Sequence, residues 1–115
     1  QENQILFGSA DGRTFSEVAL PGGSRLTGST SVADVDGDGF MDIVLGNFGY
    51  PNGNYNQENQ ILFGSADGRT FSEVALPGGD RYTSSTSVAD VDGDGYMDIV
   101  VGNYNQENQI LFGSA

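Results

Sequence analysis

The sequence contains no cysteine, no histidine and no lysine. Without cysteine there can be no disulfide, no catalytic thiol and no Cys-ligated zinc site. Without histidine, Ser-His catalytic triads and imidazole-ligated metal sites are excluded as well. No apolar run approaches the roughly 20 residues that a membrane-spanning helix needs, so we expect no membrane insertion.

Positive charge is also scarce. Four arginines stand against 16 Asp and Glu residues, which gives a formal net charge of -12. Four arginines cannot form a basic surface. We therefore do not expect nucleic acid or anionic lipid as partners. The acidic balance instead favours a bound cation. Glycine is abundant, at 18 of 115 residues, against a usual share of roughly 7%, and the glycines separate short apolar runs.

Internal repetition is the strongest feature of the chain. Residues 1–47 align with 57–103, and 42 of these 47 positions are identical. The segment "NYNQENQILFGSA" occurs at 54–66 and again at 103–115. The first repeat is longer because it carries a seven-residue insert at 48–54, "FGYPNGN". A loop that accepts such an insert is expected at the surface.

Within one repeat, turn signals separate four short runs that are rich in β-branched and aromatic residues, and no segment shows a helical period. We predict strands a (30–34), b (42–46), c (59–64) and d (70–76). The fold class is therefore all-β, with four-stranded antiparallel meanders. Four strands in a repeat of about 50 residues are typical of a β-propeller blade.

The predicted strands divide the chain into about two blades plus an extra strand. Residues 1–27 would hold strands c and d of a preceding blade, 28–77 a complete blade, and 78–115 strands a, b and c of the next one. Propellers need roughly four to eight blades. We therefore expect further repeats of a longer chain, or copies of this chain, to complete the ring. Strand c at both ends of the sequence suits strand exchange.

An aspartate loop joins strands a and b in both repeats. Aspartates stand at loop positions 1, 3, 5 and 9, with glycine at position 6: Asp34, Asp36, Asp38, Asp42 and Asp90, Asp92, Asp94, Asp98. Alternate side chains can turn inward, and position 7, Phe40 or Tyr96, can offer its backbone carbonyl. Oxygen-only ligands select Ca²⁺ over zinc or copper, and Mg²⁺ prefers a smaller shell that retains water. We predict one Ca²⁺ in each loop, two per chain.

The aspartate loops allow three other interpretations. An EF-hand requires Glu at position 12, where Leu45 and Val101 stand instead. Asp-Gly clusters are also common in ordinary solvated turns. A pair of aspartates could serve as the acid and base of a glycosidase, but the cation would need the same carboxylates. Without His, Cys or Lys, no nucleophile–base pair is available beyond carboxylates and tyrosine, so we expect no enzyme.

The pattern D-x-D-x-D-G-x-x-D, followed by an apolar strand and glycine, resembles the FG-GAP/VCBS repeats of integrin-α-like β-propellers. "LFG" at 62–64 stands where the Phe-Gly of that family falls, while "SADG" replaces the Gly-Ala-Pro half. The resemblance implies an extracellular or cell-surface propeller of seven or eight blades with calcium in the a–b loops. The implied role is structural, adhesive or assembly-related.

A second surface is predicted at the opposite end of the blades, where the b–c and d–a loops lie. It would carry aromatic and charged residues: Phe48, Tyr50, Tyr55, Tyr104, Tyr82, Arg25, Arg81 and Asp80. Such residues could bind a glycan or a protein, or they could simply cover the blade edges. A lectin-like, carbohydrate-binding propeller is therefore the alternative function.

Overall fold

The computed structural model describes residues 2–24, 26–49, 58–68, 70–77 and 82–114. These residues form nine strands and no helix, and so none that could cross a membrane. The strands are β1 (Glu2–Gly8), β2 (Phe15–Ser24), β3 (Leu26–Ala33), β4 (Asp42–Gly49), β5 (Gln60–Phe63), β6 (Ser72–Ala75), β7 (Thr83–Ala89), β8 (Asp98–Asn103) and β9 (Gln109–Leu111).

The nine strands form three antiparallel sheets, and each strand pairs with its neighbour in sequence. The first sheet is β1–β2, the middle sheet β3–β4–β5–β6, and the third sheet β7–β8–β9. The prediction of an all-β chain of antiparallel meanders is confirmed, and the arrangement is consistent with propeller blades. The three sheets do not close into a ring. The division at 27/28 and 77/78 stays a prediction.

The strands differ in length from the sequence-based estimate. Predicted strand a began at Thr30, but β3 begins at Leu26, where it pairs with Gly49 across two irregularities in the ladder. The added residues are Leu26, Thr27, Gly28 and Ser29, and Gly28 in particular has a low strand propensity. They continue the ladder alongside β7, where the Ser29 hydroxyl lies 3.1 Å from the Thr86 hydroxyl. This tertiary contact overrides local propensity.

The apolar core lies between the sheets. In β4, Ile43 and Leu45 face the first sheet and pack with Leu20. Val44 points to the opposite face and packs with Ile99 of β8. The middle sheet is therefore covered on both faces, which explains the continuous apolar run "DIVLG" in place of the alternation of a one-sided strand.

A seam of hydroxyl groups joins the first strands of the two repeats. The Ser29 hydroxyl lies 3.1 Å from the Thr86 hydroxyl, and the Ser31 hydroxyl donates to the Thr86 carbonyl at 2.8 Å. Gly46 lies against this seam: a Cβ there would stand 2.7 Å from Cγ2 of Thr83. Close approach of β4 to β7 therefore requires glycine at this position.

The aspartate loops and the "SADG" turns lie at the same end of the sheets. Ser65 and Gly68 of the β5–β6 turn line one groove together with Phe40 and Met41 of the first aspartate loop. The turn itself is closed by the Gly68 N–H, which donates to the Ser65 carbonyl at 2.9 Å. The b–c and d–a connections start from the opposite ends of these strands, and between β2 and β3 the predicted long loop is replaced by strand that runs to Ser24 and resumes at Leu26.

Candidate metal centre

The two aspartate loops begin where a strand ladder ends. The β3–β4 ladder ends at the pair Ala33 and Asp42, and residues 34–41 form the first loop. Gly37 and Gly39 have φ angles of +77° and +91°, and the matching glycines of the second loop have +77° and +92°. Residues with a Cβ rarely adopt these angles. The glycines therefore allow the backbone to fold back around the aspartates.

Asp34 organises the first loop by accepting three backbone hydrogen bonds. The N–H groups of Gly37 and Gly39 donate to its two oxygens at 2.9 and 2.8 Å, and the N–H of Asp38 donates at 3.1 Å. These bonds, that of Gly39 first, lower the pKa of Asp34. Asp90 has the same partners in the second loop, and its pKa is lowered for the same reason. Both carboxylates are therefore held in the charged form.

Asp42 is fully buried at the end of the loop. One of its oxygens accepts the Val35 N–H at 2.7 Å, and the other accepts the Gly64 N–H at 2.9 Å. Asp98 makes the equivalent two bonds in the second repeat. This carboxylate thus ties the aspartate loop to Gly64 or Gly113, just beyond the end of strand β5 or β9.

Gly64 is the glycine of the "LFG" segment, and the structure gives a physical reason for it. A Cβ on Gly64 would stand 2.0 Å from the Met41 carbonyl oxygen, and a Cβ on Gly113 would stand 2.1 Å from that of Met97. Gly8 occupies the same position in the first sheet, where its closest neighbour would be a Phe15 ring atom at 3.6 Å. The glycine is therefore required only where an aspartate loop lies against it.

Each loop brings three carboxylates together. In the first loop, oxygens of Asp34, Asp36 and Asp42 lie within 4.8 Å of one another, and in the second the cluster is Asp90, Asp92 and Asp94. Two ligands on opposite sides of Ca²⁺ are separated by about 4.6 to 5.2 Å, so the carboxylate spacing fits this ion. The predicted ligands Asp38 and Asp98 lie outside these two clusters.

Asp36 and Asp92 experience the electrostatic cost of this crowding. Desolvation is the largest cause that raises the pKa of each, and the neighbouring carboxylates Asp38 and Asp42, or Asp94 and Asp98, raise it further. Ionisation of these two side chains is therefore disfavoured in a loop that holds no positive charge. A divalent cation would reverse that balance.

Phe40 and Tyr96, predicted to offer their carbonyls, occupy exposed positions at the far end of the loops. Their backbone N–H groups donate to Asp38 and Asp94 at 2.9 Å. The loop position of both residues is thus fixed. Their role as ligands stays a prediction.

Three of the predicted surface aromatics form one cluster at the opposite end of the sheets. Phe48 stacks on Tyr82 with ring centroids 4.9 Å apart, and Tyr82 contacts Tyr104 at 5.3 Å. The contact between Phe48 and Tyr82 joins two repeats. The remaining residues of this predicted surface lie outside the described residues: Arg25, Tyr50, Tyr55, Asp80 and Arg81.

Sequence reasoning missed a buried amide network at the end of β4 away from the aspartate loop. Asn47 is fully buried, its N–H donates to the Asn59 side chain at 2.8 Å, and its own side-chain amide donates to Gln60 at 3.0 Å. The second repeat has the same network around Asn103. The signal was present, because "GN" and "ENQ" recur in each repeat, but only the fold shows that they meet.

The strand order, the aspartate loops and the glycine packed against each loop together define a repeat module of the β-propeller type. The family model for the FG-GAP repeat matches residues 27–61 and 82–110, and the chain therefore belongs to the FG-GAP repeat family. No curated protein and no solved structure matches it. FG-GAP repeats are structural, non-enzymatic modules that generally bind calcium and are typically extracellular.

Proposed function

We propose that the chain is a calcium-stabilised extracellular repeat module with a structural, adhesive or assembly role. One Ca²⁺ would be held in each aspartate loop, by Asp34, Asp36, Asp38 and Asp42 with the Phe40 carbonyl, and by Asp90, Asp92, Asp94 and Asp98 with the Tyr96 carbonyl. The carboxylate cluster that recurs in both FG-GAP repeats is the observation that carries the proposal.

The chemical contribution of bound calcium would be to neutralise the crowded carboxylates. The protein supplies the remaining parts of the site. Asp34 is already oriented by the N–H groups of Gly37 and Gly39. Asp42 connects the loop to Gly64 at the end of β5. A cation in the loop would therefore hold β3, β4 and β5 in one arrangement.

Partners and location follow from this proposal. We expect each module to combine with further repeats or with copies of itself, and to do so outside the cell. Calcium sites of extracellular modules have dissociation constants of about 10⁻⁴ to 10⁻³ M. Millimolar external calcium would fill such sites, whereas cytosolic calcium would not.

The test is a thermal melt in 2 mM CaCl₂ and in excess EDTA. With the dissociation constants above, each filled site stabilises the folded state by about 0.6 to 1.8 kcal/mol, or about 1 to 4 kcal/mol for two sites. A domain of this size changes its Tm by roughly 4 °C per kcal/mol, so we expect calcium to raise the Tm by roughly 5 to 15 °C. Equal Tm values in calcium and EDTA would refute the proposal.

A matched pair of double variants separates specific binding from loss of charge. Asp36→Asn with Asp92→Asn removes one carboxylate from each loop, and we expect it to abolish the calcium response. Asp11→Asn with Asp67→Asn removes the same charge from the two "SADG" turns, and it should keep the full response. If both variants respond alike, the ion is not bound in the aspartate loops.

The carbohydrate-binding alternative draws less support from the described aromatics. Phe48 and Tyr82 use ring faces for stacking on each other, and a sugar ring would need such a face to be accessible. Covering the blade edges is the simpler role for this pair. A glycan array with immobilised protein in calcium tests the alternative, and reproducible binding to one glycan class would favour it.

A further inference from the structure

The first sheet packs against the middle sheet in the way that the middle sheet packs against the third. Ile5 of β1 packs on the cluster that contains Ile43 and Leu45. Its counterpart Ile61, in β5, packs on the corresponding residues of β8, Ile99 and Val101. Strands β1 and β2 therefore stand where strands c and d of a blade belong, and β2 is the only partner strand of β1 among the described residues.

Strand β1 has the side chains of a c strand, but on its side away from β2 the described residues contain no b strand. In the middle sheet, the buried Asn47 of β4 joins Asn59 and Gln60, and Gln60 is 1% exposed. The counterparts in β1 are Asn3 and Gln4, and Gln4 is exposed. Strand β1 thus has the two side chains, Asn3 and Gln4, that correspond to the hydrogen-bond acceptors of the amide network.

A groove of about 360 Å³ lies next to this strand, lined by Ile5, Val32, Phe40, Met41, Ile43 and Phe71 among others. At the equivalent position between the middle and third sheets, Val35 packs against the cluster that contains Val44, Ile61 and Ile99. The groove therefore has the shape and chemistry to receive a valine of a preceding aspartate loop. The counterpart of Val35 in the second repeat is Val91, which is exposed.

The outer face of the third sheet has the complementary chemistry. Val44 is 0% exposed, whereas its counterpart Val100 is 38% exposed, although the segments 41–47 and 97–103 differ only at Leu45 and Val101. The difference arises because Val44 has a neighbouring sheet and Val100 has none among the described residues. Val91 and Val100 thus present, on one surface, the two apolar groups that the first sheet and the groove accommodate.

We propose that strands β7 and β8 of one copy complete the β1–β2 pair of a second copy, so that copies of this chain join head to tail. This inference rests on the proposed function as a repeat module. By the register of the middle sheet, where Val44 pairs with Ile61, Val100 of one copy pairs with Ile5 of the next. Val91 enters the groove, and Asn103 bonds to Asn3 and Gln4.

In this arrangement β1 of the second copy takes the place of β9. Residues 3–10 and 108–115 have the same sequence, so the ladder with β8 is replaced by an equivalent one. The exchange adds β2 as a fourth strand and buries the groove, and these contacts favour it. Each copy carries a formal charge of -12, which opposes association, and two bound Ca²⁺ ions would reduce it to about -8.

Sedimentation velocity in 2 mM CaCl₂ tests the proposal. Each copy supplies two blades, and propellers have roughly four to eight, so we expect two to four copies of the 12.1 kDa chain in the assembly. Val100→Glu places a carboxylate in the new interface, and we expect it to weaken association by about tenfold or more. Val18→Glu is the matched control, because Val18 is 40% exposed although its neighbouring sheet is present.

A wild-type chain that stays monomeric at high concentration in calcium overturns the proposal, as does equal weakening by the two glutamate variants. The melt described above is independent of this readout. Calcium stabilisation of a monomer leaves the proposed function in place and removes only the head-to-tail contact. Association without any effect of calcium on the Tm leaves the head-to-tail contact in place and removes the proposed calcium-stabilised function.

A cross-link tests the register even if Val100→Glu does not fold. The chain has no cysteine, so the only thiols are those that are introduced. Directly paired antiparallel residues have Cα atoms about 4.5 to 5.5 Å apart, within reach of a disulfide. Co-refolded Val100→Cys and Ile5→Cys chains should form a disulfide-linked dimer. A yield no higher than that from Val100→Cys with Val18→Cys overturns the strand pairing.

Discussion

Replacing Gly64 with alanine tests how the "LFG" glycine supports the aspartate loop. The new Cβ would stand 2.0 Å from the Met41 carbonyl oxygen, far inside van der Waals contact. Because the obstructing atom belongs to the backbone, a rotamer change cannot relieve the clash. Moving the backbone apart would stretch the 2.9 Å bond from the Gly64 N–H to Asp42, whose side chain is fully buried.

The two effects set the size of the expected loss. Overpacking costs about 1 to 3 kcal/mol, and leaving a buried acceptor unpaired costs about 1 to 3 kcal/mol. Both costs arise from the same movement of the backbone at Gly64, so they do not add in full. We expect Gly64→Ala to lower the free energy of unfolding by about 2 to 5 kcal/mol. This is a large part of the 5 to 15 kcal/mol that is typical of a domain.

Gly8→Ala is the internal control, because the nearest atom to its new Cβ would be 3.6 Å away. There the expected change is within about 1 kcal/mol, and it includes the small gain from a less flexible unfolded chain. Urea unfolding followed by far-UV circular dichroism, in EDTA for both variants, measures the difference. If the two variants lose the same stability within about 0.5 kcal/mol, the contact with Met41 does not explain the glycine.

Three further predictions concern other parts of the molecule. The pKa of Asp36 is raised, so protonation favours the folded state and the stabilisation is lost as pH rises through the folded pKa. Asp36→Asn should therefore raise the Tm in EDTA at pH 7, and a lower Tm would contradict this reasoning. The pKa of Asp11 is lowered, first by the hydroxyl of Thr14, so its contribution to stability is present above the unfolded pKa of about 3.9 and declines as pH falls below it. The stability difference between wild type and Asp11→Asn, from urea titrations at several pH values, should shrink over that range, and a constant difference would argue against it. Gly46→Ala should cost more stability than Gly102→Ala. A Cβ at either position would stand 2.6 Å from a serine hydroxyl of its own repeat, but only the Cβ on Gly46 would also meet the next repeat, at 2.7 Å from Thr83. Equal losses by chemical denaturation would show that the seam between the repeats adapts.

The number, order and pairing of the strands could be predicted from the sequence. Short apolar runs, Asp-Gly turns and the repeat constrain the backbone locally, and a meander joins neighbours in sequence. The positions of the loop aspartates were equally accessible, because alternate spacing around glycine is a local pattern. The start of β3 at Leu26 was not, since Gly28 is a poor strand former and the contact of β3 with β7 is distant in sequence.

The contacts that hold the aspartate loop and those of the buried amide network could not be predicted, because they join residues that are distant in sequence. The bond from Gly64 to Asp42 spans 22 positions, and that from Asn47 to Gln60 spans 13. A single sequence shows that these residues recur in both repeats, but not that they touch. Which copy of a residue is buried was also hidden, because Val44 and Val100 differ in exposure through their neighbours alone.

The near-identity of the two repeats has a consequence for measuring energies. Stability in a linear array is approximately the sum of an intrinsic term for each unit and a coupling term for each adjacent pair. Val44→Ala and Val100→Ala remove the same atoms from segments that differ only at Leu45 and Val101, but among the described residues only Val44 has an adjacent unit on its outer side. The difference between their unfolding free energies therefore reports the nearest-neighbour coupling, within one chain and under one set of solution conditions.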